Sequence, residues 1–381
     1  MQLRLIGTGG TIASRSTPAG RVAAVGVHEL LETARAFPVP DWAEVTCRDL
    51  GLRPSFAFDL PDLASLAAAV GEGLRDGAHA VVITHGTDSM EETAFALALT
   101  HADDRPIVLT GAQRPADDPA ADGPRNLASA LTWAAHPAAR SHGVSAVFDG
   151  AVWPAVGLRK TDTLAPAAFS APGRGPLARL DDGRVRLIAR PPRPAALIAP
   201  EDLGRLPRVD VVPLYVGCDT VLLDAAVAAG ARGVVLCAFG AGNAPPAVTA
   251  AVARLVAQGV TVAVASRVPT GATSAAYGAG GGADLLRAGA VFASDLSPWQ
   301  LRLLLAASLH RADGEGPAGA AARMAAWLAE AGHLAEAGDT GIPGSPGNPG
   351  SPGNPGSPGI PGDTGNPESL GKPGYPGASG N

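Results

Sequence analysis

Short runs of uninterrupted apolar residues, each followed by an alanine- and leucine-rich stretch of helical length, recur in the first half of the chain and again after residue 208. A strand that is apolar at every position is buried on both faces, whereas a strand with one wet face alternates. Helices between such strands provide the two covers and the long crossovers that parallel pairing needs. Residues 2–6, 80–84, 106–110 and 143–149 are therefore expected as strands, with helices over 28–36, 62–76, 91–100 and 127–136. The stretch "LARLDDGRVRLIA" predicts a hairpin turning at Asp182-Gly183. The proline- and arginine-rich "RPPRPAALIAPEDLGRLPR" reads as a linker. A second series follows, with strands over 209–215, 233–238 and 259–265 and helices over 220–229, 247–258 and Pro298–Arg311. The expected architecture is α/β: a larger N-terminal domain over 1–188, its mainly parallel sheet covered by helices on both faces, a linker over 189–208, and a smaller C-terminal α/β domain over 209–337.

From Gly338 onward glycine recurs at every third position, broken at Glu368, with proline frequent between. That period is collagen-like. The array is short and Glu368 occupies a crowded axial position, so residues 338–381 are expected to be a disordered tail. Trimerisation or surface display is the other reading.

The remaining composition excludes more than it selects. A net charge of −6 with no basic patch argues against nucleic acid, and no apolar run approaches the ~20 residues of a membrane span. The N-terminal residues lack the layout of a signal peptide. Cys47, Cys218 and Cys237 have neither zinc spacing nor a CxxC motif and are expected as free buried thiols in a reducing, cytoplasmic setting. Arginine is used throughout, but lysine occurs only at Lys160 and Lys372. Lys160 is thus the sole lysine before the tail, and lysine, unlike arginine, can pass a proton.

Three stretches carry candidate chemistry. "GTGGTIAS", Gly7 to Ser14, follows the first strand. It lacks the third glycine of a dinucleotide fingerprint, since Ile12 stands there, and it has no GKS or GKT ending. What survives is a sharp turn that presents the Thr11 hydroxyl and backbone N–H groups, an arrangement suited to an oxyanion; a locally bonded tight turn is the alternative. "THGTDSMEETAF" places Thr87 and Asp88 beyond another strand end, where open parallel sheets bind ligands. Asp88 and Glu91 also read as a plain capping box, and His85 reads as structural. The third stretch, "RKTDTLAPAAFSAP", carries Lys160. A desolvated lysine beside threonine hydroxyls and a carboxylate would act as a base.

Taken together, "TGGTIAS", "THGTDSMEETAF", "VLTGAQRPADDPAADGPRNL", "RKTDTLAPAAFSAP", "GAGNAP" and "ASRVPTGAT" resemble the bacterial-type asparaginase family over roughly residues 2–311. The resemblance implies hydrolysis of the L-asparagine side-chain amide to aspartate and ammonia through a threonine acyl-enzyme. Thr11 takes the nucleophile's position, and Thr87, Asp88 and Lys160 form a second catalytic cluster. Gly10, Ser55, Gly86, Thr87, Asp88 and the backbone at Ala112 contact substrate, with Ser55 on its α-carboxylate and Asp88 on its α-amino group. Asn243 matches an asparagine supplied by a neighbouring subunit, which implies a homodimer, usually paired into a homotetramer. No metal and no cofactor are implied.

The chain departs from that pattern in places. Many members carry a tyrosine in the loop after the first signature, but "SRSTPAGRVAAVG" has none, and its nearest counterpart is Gly20 or Arg21. Where some members supply a glutamate after "PTGAT", Tyr277 is the nearest polar residue. Phe56 follows Ser55 where a polar residue is common, which predicts a narrower, more apolar pocket and a preference for asparagine over glutamine. Two other readings remain: an amidase of glutamine or another amide on the same fold, and a collagen-like structural protein with an inert head.

Overall fold

The computed structural model describes residues 1–40 and 43–332. The collagen-like stretch lies outside the described residues.

The first sheet forms from strands β1 (Gln2–Gly7), β4 (Glu44–Asp49), β5 (Ala80–Thr84), β6 (Ile107–Thr110) and β7 (Val144–Phe148) in the spatial order β4-β1-β5-β6-β7, all parallel. An antiparallel edge continues it through β8 (Ala151–Pro154), β11 (Ala178–Asp181) and β12 (Arg184–Leu187). The expected turn at Asp182-Gly183 joins the last two strands, with both residues at positive φ. Every residue of β5, β6 and β7 is buried, as uninterrupted apolar runs require.

Helices α1 (Val27–Ala34) and α4 (Gly123–Ala135) cover one face of this sheet, and α2 (Leu60–Arg75) and α3 (Met90–Thr100) cover the other. The start of α2 is fixed chemically. Asp59 accepts from the Asp62 N–H, Asp62 accepts from the Asp59 N–H, and Pro61 occupies the first turn. Helix α3 is buried nearly all round because α8 (Pro298–Arg311) lies across its outer side.

The second sheet is β13 (Val209–Pro213), β14 (Gly233–Ala238), β15 (Thr261–Ser266) and β16 (Val291–Phe292), all parallel in that order. Helices α5 (Val221–Ala228), α6 (Pro246–Ala257) and α7 (Gly282–Arg287) pack on one face, while α8 and α9 (Gly316–Glu330) belong to the core on the other. Because α8 touches both α3 and β13–β15, one apolar core runs from the first sheet into the second. The stretch read as a linker is not loose where it nears Arg208. Residues Pro200–Arg205 form a short 3-10 helix against α2, and Leu203 is fully buried.

Two small hairpins complete the first half: β2 (Ser14–Thr17) with β3 (Gly20–Ala23), and β9 (Arg159–Lys160) with β10 (Phe169–Ser170). The cysteines are unpaired, but half-buried rather than fully buried. Among the described residues no helix is long and apolar enough to cross a membrane.

Candidate active site

The connection leaving β1 runs toward β4, and the connections leaving β5 and β6 run the other way, so β1 and β5 flank the point where the winding reverses. In open α/β sheets the crevice at the carboxyl ends of such strands is where ligands sit. Here the two strands end in register, Gly7 opposite Thr84, and β6 ends beside them with Thr110 opposite Thr84. Three turns therefore converge on one edge, carrying Gly10 and Thr11, Gly86 to Asp88, and Ala112 with Gln113.

The first two turns touch backbone to backbone. Gly10 has φ 83°, and a Cβ there would fall on the backbone of Gly86; a Cβ on Gly86 would fall on the Ser55 side chain. Only glycine allows this approach. Thr8 closes the contact beneath, its N–H and hydroxyl both donating to the Thr84 carbonyl at 3.1 and 2.9 Å.

Above this floor lies a cavity of about 390 Å³ lined by Gly10, Thr11, Ser55, Gly86, Thr87 and Asp88, with Arg21, Val22 and Phe56 among the residues at its mouth. The Thr11 hydroxyl has no side-chain hydrogen bond among the described residues and opens onto the cavity. Thr87 is the opposite case. Lys160 Nζ donates to its Oγ1 at 2.8 Å, and the Thr87 hydroxyl donates to Gln113 Oε1 at 3.2 Å. Lys160 Nζ also donates to Asp88 Oδ1 at 2.7 Å, in an ion pair whose lysine side chain is only 19% exposed.

Asp88 and Glu91 do not form the capping box that their spacing allows. Helix α3 has Ser89 at its N-cap with no side-chain cap bond. Asp88 turns to the Lys160 ammonium, and Glu91 Oε2 accepts from the Lys160 backbone N–H at 2.7 Å. Burial pushes the Glu91 carboxyl up to about 7, against the opposing pull of that hydrogen bond. Lys160 is thus held at both ends by the start of one helix.

Ser55 is buried, its Oγ accepting from the Asp88 N–H at 3.2 Å and its carbonyl from the Ser89 hydroxyl at 2.7 Å. Phe56 is 76% exposed and stands at the rim, so it does not narrow the floor as its position beside Ser55 suggested. Ala112 is buried close to Ile12 and Gly123 and does not line the cavity. His85 is fully buried, with Nδ1 2.7 Å from the Gly86 carbonyl and Nε2 3.2 Å from Thr93 Oγ1; burial lowers it to about 4, which keeps the imidazole neutral. It shapes the turn from behind.

Asn243 and Tyr277 lie elsewhere, beyond the second sheet, and neither lines the cavity over Thr11. Asn243 Oδ1 accepts from the Gly282 N–H at 3.1 Å, and the Tyr277 carbonyl accepts from Ala283. Two contributors escape sequence reasoning. Gln113 is joined to Thr87 only through the fold. Gln300, fully buried in α8, donates through Nε2 to the carbonyls of Glu91, Ala155 and Leu158 and accepts from the Gly157 N–H. It ties the approach to Lys160 to the helix that holds it. A lone glutamine inside the apolar run "LSPWQLRLLLAASL" was the available signal.

The chain resembles known proteins over most of its length. Residues 2–193 match the family model "Asparaginase, N-terminal", and residues 208–317 match "Glutaminase/Asparaginase C-terminal domain". The L-asparaginase of Bacillus licheniformis is 31% identical over 314 residues, 81% of this chain and 95% of that protein. A probable L-asparaginase of Deinococcus radiodurans is 38% identical over 315 residues, covering 81% of this chain and 93% of the relative. The crystal structure of a probable cytoplasmic L-asparaginase from Campylobacter jejuni superposes with a TM-score of 0.75 at 30% identity, covering 85% of this chain and 98% of that one.

Proposed function

The chain belongs to the bacterial-type L-asparaginase family, and from that premise we propose that it hydrolyses the side-chain amide of free L-asparagine to L-aspartate and ammonia. The observation that carries the reading is Lys160 bonded through Nζ to both Thr87 and Asp88, beside a cavity onto which the Thr11 hydroxyl opens with no side-chain hydrogen bond among the described residues.

The Thr11 hydroxyl attacks the amide carbon. Backbone N–H groups of the turns at Gly10–Thr11 and Gly86–Thr87 stabilise the tetrahedral oxyanion, each such donor being worth about 3 kcal/mol. The hydroxyl proton leaves with ammonia, and an ester remains on Thr11. Water then cleaves this ester: one proton passes through Thr87 to Lys160 in its neutral amine form as the new C–O bond forms, and it returns to the Thr11 oxygen as aspartate leaves. The 2.8 Å contact between Lys160 Nζ and Thr87 Oγ1 supplies the path for that relay, which runs once the Thr87 hydroxyl turns from Gln113 to the lysine. Asp88 receives the substrate's α-amino group, and the Ser55 hydroxyl, whose O–H has no acceptor among the described residues, meets its α-carboxylate.

In this proposal the working unit is a homodimer or a pair of dimers in the cytoplasm, with Asn243 completing the pocket from a second copy. Support comes from the placement of Asn243 away from its own chain's cavity, and from the exposed apolar rim of Val22, Leu52 and Phe56 around that cavity.

The test is ammonia release from L-asparagine by the parent beside Thr11→Val and Lys160→Met. Each substitution is expected to cut kcat at least ~100-fold in a folded protein. Near-parent turnover by Thr11→Val would remove the proposed nucleophile.

A further inference from the structure

The cavity over Thr11 has a charge imbalance. Among the described residues, Asp88 is the one carboxylate lining it and Arg21 the one cation. The Asp88 carboxylate is already engaged by Lys160. Arg21 has no such match: among the described residues it joins no ion pair, and its hydrogen bond is a long one, from Nη1 to the Gln113 carbonyl at 3.4 Å. Nearby arginines differ. Arg15, on the same hairpin, pairs with Glu29 at 2.6 Å, and Arg53 pairs with Asp62 at 2.5 Å.

The hairpin is anchored so that Arg21 faces the chemistry. Ser14 donates to the Gly10 carbonyl at 2.8 Å, and the Ser14 carbonyl accepts from Ala116 at 2.8 Å. Ser16, directly across the hairpin from Arg21, takes the Asp117 carboxylate through its N–H at 2.9 Å and its hydroxyl at 3.3 Å. That carboxylate is thereby turned to Ser16. Gln113 then links the two sides, its carbonyl receiving Arg21 and its Oε1 receiving the Thr87 hydroxyl.

We propose that Arg21 reads the α-carboxylate of the substrate, together with Ser55, so that the pocket selects a free amino acid by both of its charges. The inference rests on the proposed hydrolysis of free asparagine and narrows its substrate class. An ammonium against Asp88 and a carboxylate against Arg21 leave neither charge of a zwitterion unmatched. An asparagine within a peptide offers neither. An ionised pair with hydrogen bonds is the stronger kind of polar contact, and the guanidinium fork suits a carboxylate.

Two truncated amides separate the charges: 3-aminopropanamide lacks the carboxylate, and succinamate lacks the ammonium. For Arg21→Ala, KM for L-asparagine is expected to rise about tenfold or more with kcat within about threefold. Succinamate weakens in parallel, and 3-aminopropanamide stays within about twofold. Arg21→Lys, which keeps the charge, retains most of the discrimination, and Arg15→Ala, on the other face of the hairpin, leaves all three substrates unchanged. Where turnover is too slow to follow, competitive inhibition by the two amides gives the same split. Equal losses on 3-aminopropanamide and asparagine, no loss at all, an Arg21→Lys that behaves like Arg21→Ala, or an Arg15→Ala that reproduces it would overturn the proposal. A parent that releases no ammonia from asparagine would instead sink the proposed function, so the two failures are distinguishable.

Discussion

Two turns of this protein look alike in sequence and differ in the fold. "GGT" after β1 and "GTD" after β5 each follow a parallel strand, contain a glycine that permits close approach, and present a threonine at the same sheet edge. Yet Thr87 sits in a chain of hydrogen bonds with Lys160 and Gln113, while the Thr11 hydroxyl has no side-chain hydrogen bond among the described residues. The difference teaches how one fold divides labour between equivalent hydroxyls. In the proposed mechanism the nucleophile has to reach substrate and is left free, whereas the proton relay has to be aimed and is locked.

The sharpest way to break this comparison is to remove both hydroxyls separately. Thr87→Val is expected to lower kcat by ~10³-fold, because the relay to Lys160 is cut. It should also cost about 1 kcal/mol in urea unfolding, since it strips one hydrogen bond from a mostly buried ammonium. Thr11→Val, which breaks no side-chain bond, is expected to lose its activity with almost no change in stability. Equal stability losses in the two variants would mean that the turns are held alike.

The contact between the turns can be tested next. Gly10→Ala combines an unfavourable φ of 83° with a collision against the Gly86 backbone, for an expected loss of about 3 kcal/mol or more. Gly20→Ala supplies the comparison, because φ there is 112° but no atom lies within 4 Å; strain alone should cost it about 1 kcal/mol. If the two lost the same stability, the close approach of Gly10 to Gly86 would carry no weight.

How much of this could be read from residues alone follows the range of the interaction. β5 and β14 are found at their expected bounds because apolar character at each position is a local signal. β4 escapes: "EVTCRD" lies at a sheet edge with no position fully buried, and only two apolar residues, Val45 and Cys47, mark its alternation, too few to stand out. The β2–β3 hairpin, mostly polar and exposed, reads as a loop. At the site, Thr11, Thr87 and Asp88 are legible because each follows a strand end, and Lys160 because it stands alone among arginines. Gln113 and Gln300 acquire their partners across 26 and 209 residues respectively, and no period encodes such a pairing.

The smallest effect concerns how the locked side is anchored, and it separates through pH. In the unfolded chain Glu91 titrates near its ordinary value of 4.5, while in the folded protein burial raises it to about 7. Between those values the native state binds more protons than the unfolded state, so this residue's contribution to stability falls as pH rises through the window and levels off above it. The full span corresponds to about 3 kcal/mol, with the help that Arg159 and Lys160 give the ionised form already contained in it. Glu91→Gln keeps a carbonyl acceptor for the Lys160 N–H and removes the titration. Other carboxylates cancel when parent and variant are compared. The variant should therefore gain on the parent by about 2 kcal/mol between pH 4.5 and 7 in chemical unfolding, with little further change by pH 8. A difference that stays flat would mean that Glu91 ionises as it does in water, and that the Lys160 backbone is anchored by an ordinary carboxylate rather than one strained by burial.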